Sequence, residues 1–320
     1  MYGSLATLEI EHLKVNKIRM YIEKDEVSVN MILVTYLPFY RLHEVLQYFV
    51  KNIEILQPKR SIVYVIVYVD NVYNERQNEI IKRIVPQDIE VVQGNWRNRG
   101  DTWFKILRDL HNFNEEMLVI DSDNIADPKL REINHVLLKD YKVYTIADYG
   151  VVGSLLNNFL RRSRYVGEIS VDGRKKSLYA YRIKPKTLKE FLFKGGPPFF
   201  VGPKQVVCLS KPLDEKVIEK VERAFSNVEP FLKNLISDET VLGVLLYLCG
   251  YEEIPWTHAS YHYHHGGYQA TLTRACKAVV ALAHMQFANG LIKEFGQNVF
   301  RLYKLKYMLS YMKNNPLLHL

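Results

Sequence analysis

Two carboxylates one residue apart close an apolar run in Met117-Leu-Val-Ile-Asp-Ser-Asp-Asn-Ile-Ala-Asp127. The four apolar residues read as a short buried strand, and a buried strand end is a costly place for Asp121 and Asp123 unless something positive sits there. Asp, Ser and Asn are also ordinary turn residues, which explains the composition but not its place at the end of a strand. A second acidic pair, Asp238-Glu239, follows Ser237 and heads an apolar helical run. Ser-Asp-Glu is what an N-cap and first helical turn look like, where acids offset the macrodipole. A carboxylate at such a helix start can also serve as a general base once substrate desolvates it. The third group is histidine-rich: four of the ten histidines lie within residues 258–265, beside Gly266-Gly267. In an extended segment His262 and His264 share one face while His265 points away.

These residues need elements to position them. Residues 29–37 (VNMILVTYL) form a continuous apolar run, the mark of a strand buried on both faces. Helical periodicity follows over 40–56, a second strand over 61–69 ending at Asp70-Asn71, a helix over 74–85 and a short strand over 89–93. A polar loop, 94–100, then leads to a helix over 101–113 and the strand 117–120. Strand and helix thus alternate three times before a fourth strand, which predicts an α/β fold with a mostly parallel central sheet and flanking helices. Ligands in such a sheet sit at the carboxyl ends of the strands, and Thr35-Tyr36, Asp70-Asn71 and Asp121-Ser122-Asp123 all fall there. No GxGxxG follows the first strand and no GxxxxGK[ST] occurs, which argues against a dinucleotide-binding Rossmann domain and a P-loop NTPase. Beyond Asp127 the sequence reads as a strand over 141–146, a helix over 151–164 and a strand over 177–183. Helices follow over 214–225 and 238–249, then an extended segment over 252–263. Two closing helices, 271–289 and 291–313, form a C-terminal helical extension.

Composition is that of a soluble globular chain, with 48% hydrophobic and 24% charged residues in 320. The net charge of +8 suits a polyanionic partner such as a nucleotide phosphate or an acidic membrane surface. Seven Lys/Arg against Glu294 from residue 270 onward hold +6 of that excess. This basic, amphipathic end can pack on the sheet or a partner subunit, or lie on anionic lipid. Its charges are too dispersed to indicate nucleic acid. Cys208, Cys249 and Cys276 lack metal-ligand spacing and read as buried thiols of a reducing compartment. The first 30 residues show no signal-peptide pattern, and the longest apolar span, 278–292, reads as too short to cross a bilayer. The expectation is a cytoplasmic protein, with peripheral attachment at the inner face of the membrane left open.

The order of these features resembles the GT-A fold of nucleotide-sugar-dependent glycosyltransferases, in particular the family-2-like inverting group, over roughly residues 29–268. Four features carry the resemblance: the first strand with its exit Thr35-Tyr36, the second strand ending in Asp70, the segment 94–113 leading into Asp121-Ser122-Asp123, and Asp238-Glu239 heading a helix. The resemblance implies a lead-in over 1–28, a nucleotide-sugar-binding half over 29–150, an acceptor-binding half over 151–268 and the helical extension over 271–320. It implies a UDP- or GDP-linked sugar donor, a glycan or lipid-linked acceptor, and Mn2+ or Mg2+ held by Asp121 and Asp123 against the donor's diphosphate. Such hard cations take oxygen ligands, few of them from protein when phosphate and water complete the shell.

Under the same resemblance Thr35 and Tyr36 lie beside the nucleoside, and Asp70 contacts the base or ribose. Ser122 belongs to the cation-binding turn, and Arg97 and Arg99 reach phosphate. The base that deprotonates the acceptor is Glu239 or Asp238. Glu239 stands where the family usually has Asp, a departure that leaves the choice open. His264 is the favoured third metal ligand, with His265 as the alternative. A nucleotidyltransferase shares this sheet and metal chemistry, but Tyr36-Leu-Pro-Phe-Tyr-Arg41 is neither glycine-rich nor lysine-bearing as its first loop would be. A catalytically silent binding protein of the same fold is the remaining alternative.

Overall fold

A computed structural model describes residues 29–66, 75–93, 96, 98–113, 115–128, 130–131, 144–147, 164–171, 174–182, 206–209, 213–255, 260–262 and 273–315. In chain order, β1 (Val29–Pro38) runs through one 3-10 turn into α1 (Leu42–Leu56), followed by β2 (Pro58–Ile66), α2 (Glu75–Ile84) and β3 (Glu90–Gln93). Then come α3 (Arg99–Phe113), β4 (Met117–Ile120), β5 (Asn124–Ala126), β6 (Tyr144–Ala147), β7 (Arg164–Val171), β8 (Arg174–Arg182) and β9 (Val206–Leu209). The chain continues with α4 (Glu215–Ser226), the 3-10 helix Pro230–Leu235, α5 (Asp238–Leu248), β10 (Glu252–Pro255), β11 (Ser260–His262), α6 (Arg274–Phe295) and α7 (Asn298–Asn314).

Nine strands form one sheet in the order β3-β2-β1-β4-β9-β6-β10-β8-β7. The first four are mutually parallel, and only β8 and β9 run against the other seven. The α/β class and mostly parallel sheet expected from the alternation are therefore what the chain forms. Side-chain alternation divides the core into two layers. Ile32, Val34 and Tyr36 of β1 and Met117 and Val119 of β4 face α3, α4, α5, α6 and α7. Met31, Leu33 and Leu37, with Leu118 and Ile120, face α1 and α2. α5 packs against both α3 and α4, and every residue from Thr240 to Leu246 is buried, so the helix is held firmly just behind its N-terminus.

Several expectations need correction. The closing helices part at Gly296 and not near Gly290: Gly296 takes the left-handed conformation (φ +65°) that ends α6, whereas Gly290 lies inside the helix. A Cβ at Gly290 would stand 2.4 Å from the Ala224 carbonyl oxygen, so this glycine serves a close approach of α6 to α4. With the break moved, α6 has 22 residues and is long and apolar enough, by length and composition, to cross a membrane, yet 44% of its apolar window is buried in the fold. Cys276, expected to be buried, is exposed in the first turn of α6, and Cys249 is half-buried. Arg164, expected to end a helix, opens β7; the rest of that expected helix, like the 1–28 lead-in, lies outside the described residues. β9 was not anticipated, because four apolar residues amid Gly and Pro give too short a signal.

Candidate active site

β1 and β4 pair in parallel from Ile32–Met117 to Val34–Val119. One residue further on, Thr35 Oγ1 donates to the Ile120 carbonyl at 2.8 Å, so the two strands finish side by side. Thr35 is 1% exposed, and its side chain acts as this tie. Tyr36 next turns toward α3 and α5. Its ring meets Trp103 of α3 edge-on at 5.4 Å, and its hydroxyl donates to Asp238 Oδ2 at 2.6 Å.

Asp238 is the first residue of α5, capped by Ser237, whose hydroxyl accepts from Thr240 N at 3.3 Å. Arg99, the first residue of α3, places Nη1 3.8 Å from the same Oδ2. Asp238 is only 4% exposed. Its charge is offset by the tyrosine hydroxyl, the guanidinium and the positive end of its own helix. Both side-chain contacts fall on Oδ2, and Oδ1 takes neither.

The acidic turn follows β4 directly. Asp121 Oδ1 accepts from Ser122 N at 2.8 Å, and the Asp121 carbonyl accepts from Asn124 N at 3.0 Å. Asn124 Nδ2 donates to Asp123 Oδ1 at 3.2 Å. Ser122 is buried, while Asp121 and Asp123 are half-buried. Desolvation pushes the Asp121 carboxyl up to about 7; the charges of Asp123 and Asp238 add to the rise, and Arg99 and the Ser122 N–H oppose it. Burial, then Asp121 and Asp238, hold the Tyr36 hydroxyl well above its ordinary range, so it remains a donor. Three acids and one guanidinium thus act on one another, which leaves the cluster negative when all are ionised. Asp121 and Asp123 supply oxygen donors of the kind that hard divalent cations take. Among the described residues no group of three or more His, Cys, Asp or Glu is placed to hold a metal.

Of the residues expected from the sequence, Thr35, Tyr36, Arg99, Asp121, Ser122, Asp123 and Asp238 come together where β1 and β4 end and α3 and α5 begin. Glu239 is half-buried at the next position of α5. Asp70, Arg97 and His264 lie outside the described residues, as does His265. The histidine-rich segment enters through β11, which pairs antiparallel with β5: His262 stands opposite Asn124, the neighbour of Asp123.

Two features were not anticipated. One is the Tyr36–Asp238 bond, which joins positions 202 apart and leaves no local trace. The other is Asn52 of α1, 1% exposed, which accepts from Ala126 N at 2.7 Å and donates to the Asn124 carbonyl at 2.9 Å. It thereby anchors β5, the continuation of the acidic turn. Here a signal existed: Asn52 continues the stripe Leu42, Val45, Leu46, Phe49, where an amide is otherwise out of place.

No protein-family model and no curated protein matches the chain. Among solved structures it is similar to residues 1–349 of S. aureus TarS, at 12% identity over 89% of this chain and 72% of that one, with a TM-score of 0.41. TarS 1–349 has also been solved with UDP-GlcNAc. A second similar structure is the mannosyltransferase PcManGT of Pyrobaculum calidifontis with GDP-Man and Mn2+, at 12% identity over 97% and 81% of the two chains and a TM-score of 0.42. A third is the inositol-1-phosphate CTP transferase of T. maritima, at 10% identity over 79% and 96% and a TM-score of 0.40.

Proposed function

We propose that the chain is a glycosyltransferase of GT-A-like architecture, moving a sugar from a UDP- or GDP-linked donor to a hydroxyl of a glycan or glycolipid with inversion. The observation that carries the proposal is the cluster of Asp121, Asp238, Tyr36 and Arg99 at the strand ends, with Asp123 adding its charge. In an inverting displacement the acceptor oxygen attacks the anomeric carbon, its proton passes to a base, and the nucleoside diphosphate leaves.

Asp238 fits the base. Tyr36 and Arg99 hold Oδ2 and fix the carboxylate's orientation, so Oδ1 is the atom that takes the proton. Successive helical residues project about 100° apart, so Glu239 cannot share that direction and is assigned a supporting place on the helix. Asp121 and Asp123 would hold Mn2+ or Mg2+, which when bound supplies positive charge against the departing diphosphate. His264 is assigned as the third ligand on the resemblance, and His262, two residues before it in sequence, stands opposite Asn124. Arg99, at the start of α3, and Arg97 are assigned to phosphate, a role that the helix N-terminus favours at Arg99. Asp70 is assigned to the nucleoside. The tie between Thr35 and Ile120 keeps the two strand ends, and hence the acidic turn and Tyr36, in register.

The test offers the protein two kinds of substrate. UDP- and GDP-sugars with glycan acceptors, with and without Mn2+, are followed by nucleoside diphosphate release. Nucleoside triphosphates with sugar 1-phosphates are followed by pyrophosphate release. Cation-dependent diphosphate release that disappears in Asp121→Asn is the expected result. Pyrophosphate release in its place would make the protein a nucleotidyltransferase. Thermal stabilisation by a nucleotide sugar without turnover would make it a binding protein.

A further inference from the structure

The helix pair α6–α7 is closed on its inner side. Phe287, Leu291, Phe300 and Tyr303 are fully buried, and His284 stacks on Tyr307 with ring centroids 4.1 Å apart. The outer side of α7 is also apolar, which packing onto the sheet does not require. Leu302, Met308, Leu309 and Met312 are 39%, 37%, 41% and 51% exposed. At about 100° per residue these four fall within roughly a third of the helix circumference, on the side away from Tyr303. Val279 and Leu282 of α6 are similarly exposed.

Charge on the two helices themselves is predominantly of one sign. The two helices carry Arg274, Lys277, Lys293, Arg301, Lys304, Lys306 and Lys313, and their single acid, Glu294, is bound by Arg223 of α4 at 3.1 Å. An apolar stripe among basic residues is the pattern of a helix lying at the headgroup level of an anionic bilayer. The same charge disfavours a second copy of the chain as occupant, since two such faces would repel, and nucleic acid gives no reward for the exposed leucines and methionines.

We propose that the outer face of α7, with Val279 and Leu282 of α6, docks on an anionic lipid surface. The hairpin would lie on the bilayer and not cross it, because α6 is bound to the fold along its other side, at Ala224 through Gly290 among other contacts. No residue of the acidic cluster takes part, so the inference stands or falls independently of the proposed reaction.

The test is flotation of the full chain with vesicles of phosphatidylcholine alone and of phosphatidylcholine with phosphatidylglycerol, at low and high salt. The expected result is co-flotation with the anionic vesicles, on the order of tenfold weaker binding to neutral ones, and release by salt. Leu309→Gln/Met312→Gln is expected to weaken binding to anionic vesicles by on the order of tenfold. Arg301→Gln/Lys304→Gln/Lys313→Gln is expected to bring it to the level of neutral vesicles. Equal recovery with both lipids, or with neither, would overturn the proposal. So would a wild-type dimer in sedimentation equilibrium that Leu309→Gln/Met312→Gln dissociates. The wild-type lipid and salt series needs no variant, so a folding defect cannot obscure the answer.

Discussion

Asp238 is 4% exposed, and a carboxyl group so buried needs fixed hydrogen-bond donors around it. Removing those donors singly shows what each does. Tyr36→Phe keeps the ring against Trp103 and removes only the hydroxyl that reaches Asp238 Oδ2. A hydrogen bond to a charged group is worth about 1.5–3 kcal/mol, so kcat is expected to fall on the order of tenfold to a hundredfold. Donor KM should change little, because the ring assigned to the nucleoside's side is kept. Asp238→Asn is expected to lower kcat by roughly 10²–10⁴-fold, the usual worth of a positioned general base, while nucleotide-dependent thermal stabilisation persists. Glu239→Gln is the matching control and should retain most activity. If Glu239→Gln lost activity and Asp238→Asn kept it, the assignment of the two carboxylates would have to be exchanged.

Elements explain how such residues reach one place. The acidic turn is held from below by β4, from the side by the Thr35–Ile120 tie, and from above by β5, which Asn52 fastens to α1. Asn52→Leu fills a similar volume but leaves the Ala126 N–H and the Asn124 carbonyl without their partner. Each buried orphan costs about 1–3 kcal/mol, so the melting temperature should drop. Cation-stimulated donor binding should weaken beyond what the lost stability accounts for, measured as nucleotide affinity well below the transition. Much of this frame was legible in the sequence, because β1, β4 and α5 are long or strongly apolar and end in residues of unlike chemistry. β7 and β8 could have been found as a hairpin, since Asp172-Gly173 separates them in sequence and Val171 pairs with Arg174. The start of α3 was placed two residues late because its cap is Asn98, whose Oδ1 accepts from Asp101 N at 2.9 Å, and Arg99 lacks the apolar character by which periodicity is recognised. The bond from Tyr36 to Asp238 was beyond reach, since it depends on how α5 packs across the sheet.

At the scale of the whole molecule, half-buried Asp121 and buried His284 pull stability in opposite directions with pH. Asp121 titrates near 7 in the folded protein, against 3.8 ordinarily, so between these values the folded state keeps a proton that the unfolded chain releases. Its contribution to stability therefore falls as pH rises through that window. His284 has the reverse sign. Burial, helped by Lys306, lowers it to about 3 from 6.5, and its ring Nδ1 is bonded to the Tyr303 hydroxyl at 2.6 Å. Between these values the unfolded chain takes up a proton that the folded protein refuses, so stability rises with pH there. From about pH 4 to 6.5 the two effects oppose each other, and the cation-free wild type should show a shallow pH dependence of unfolding in urea. Asp121→Asn removes the larger part of the first effect, leaving the smaller one of Asp101 and Glu116, which burial also holds above their ordinary values. The variant's stability should climb with pH across this window, with a slope of up to about 1.4 kcal/mol per unit from the single histidine, and should exceed the wild type's near neutrality. His284→Gln should do the converse, with stability declining toward neutral pH whatever its absolute cost. Adding Mn2+ should give the wild type a rising curve and leave that of Asp121→Asn, which rises without it, unchanged, because the cation competes with the proton for the Asp121 carboxylate. A wild-type curve indifferent to Mn2+ at every pH would separate the electrostatic crowding of these acids from any role in holding a metal.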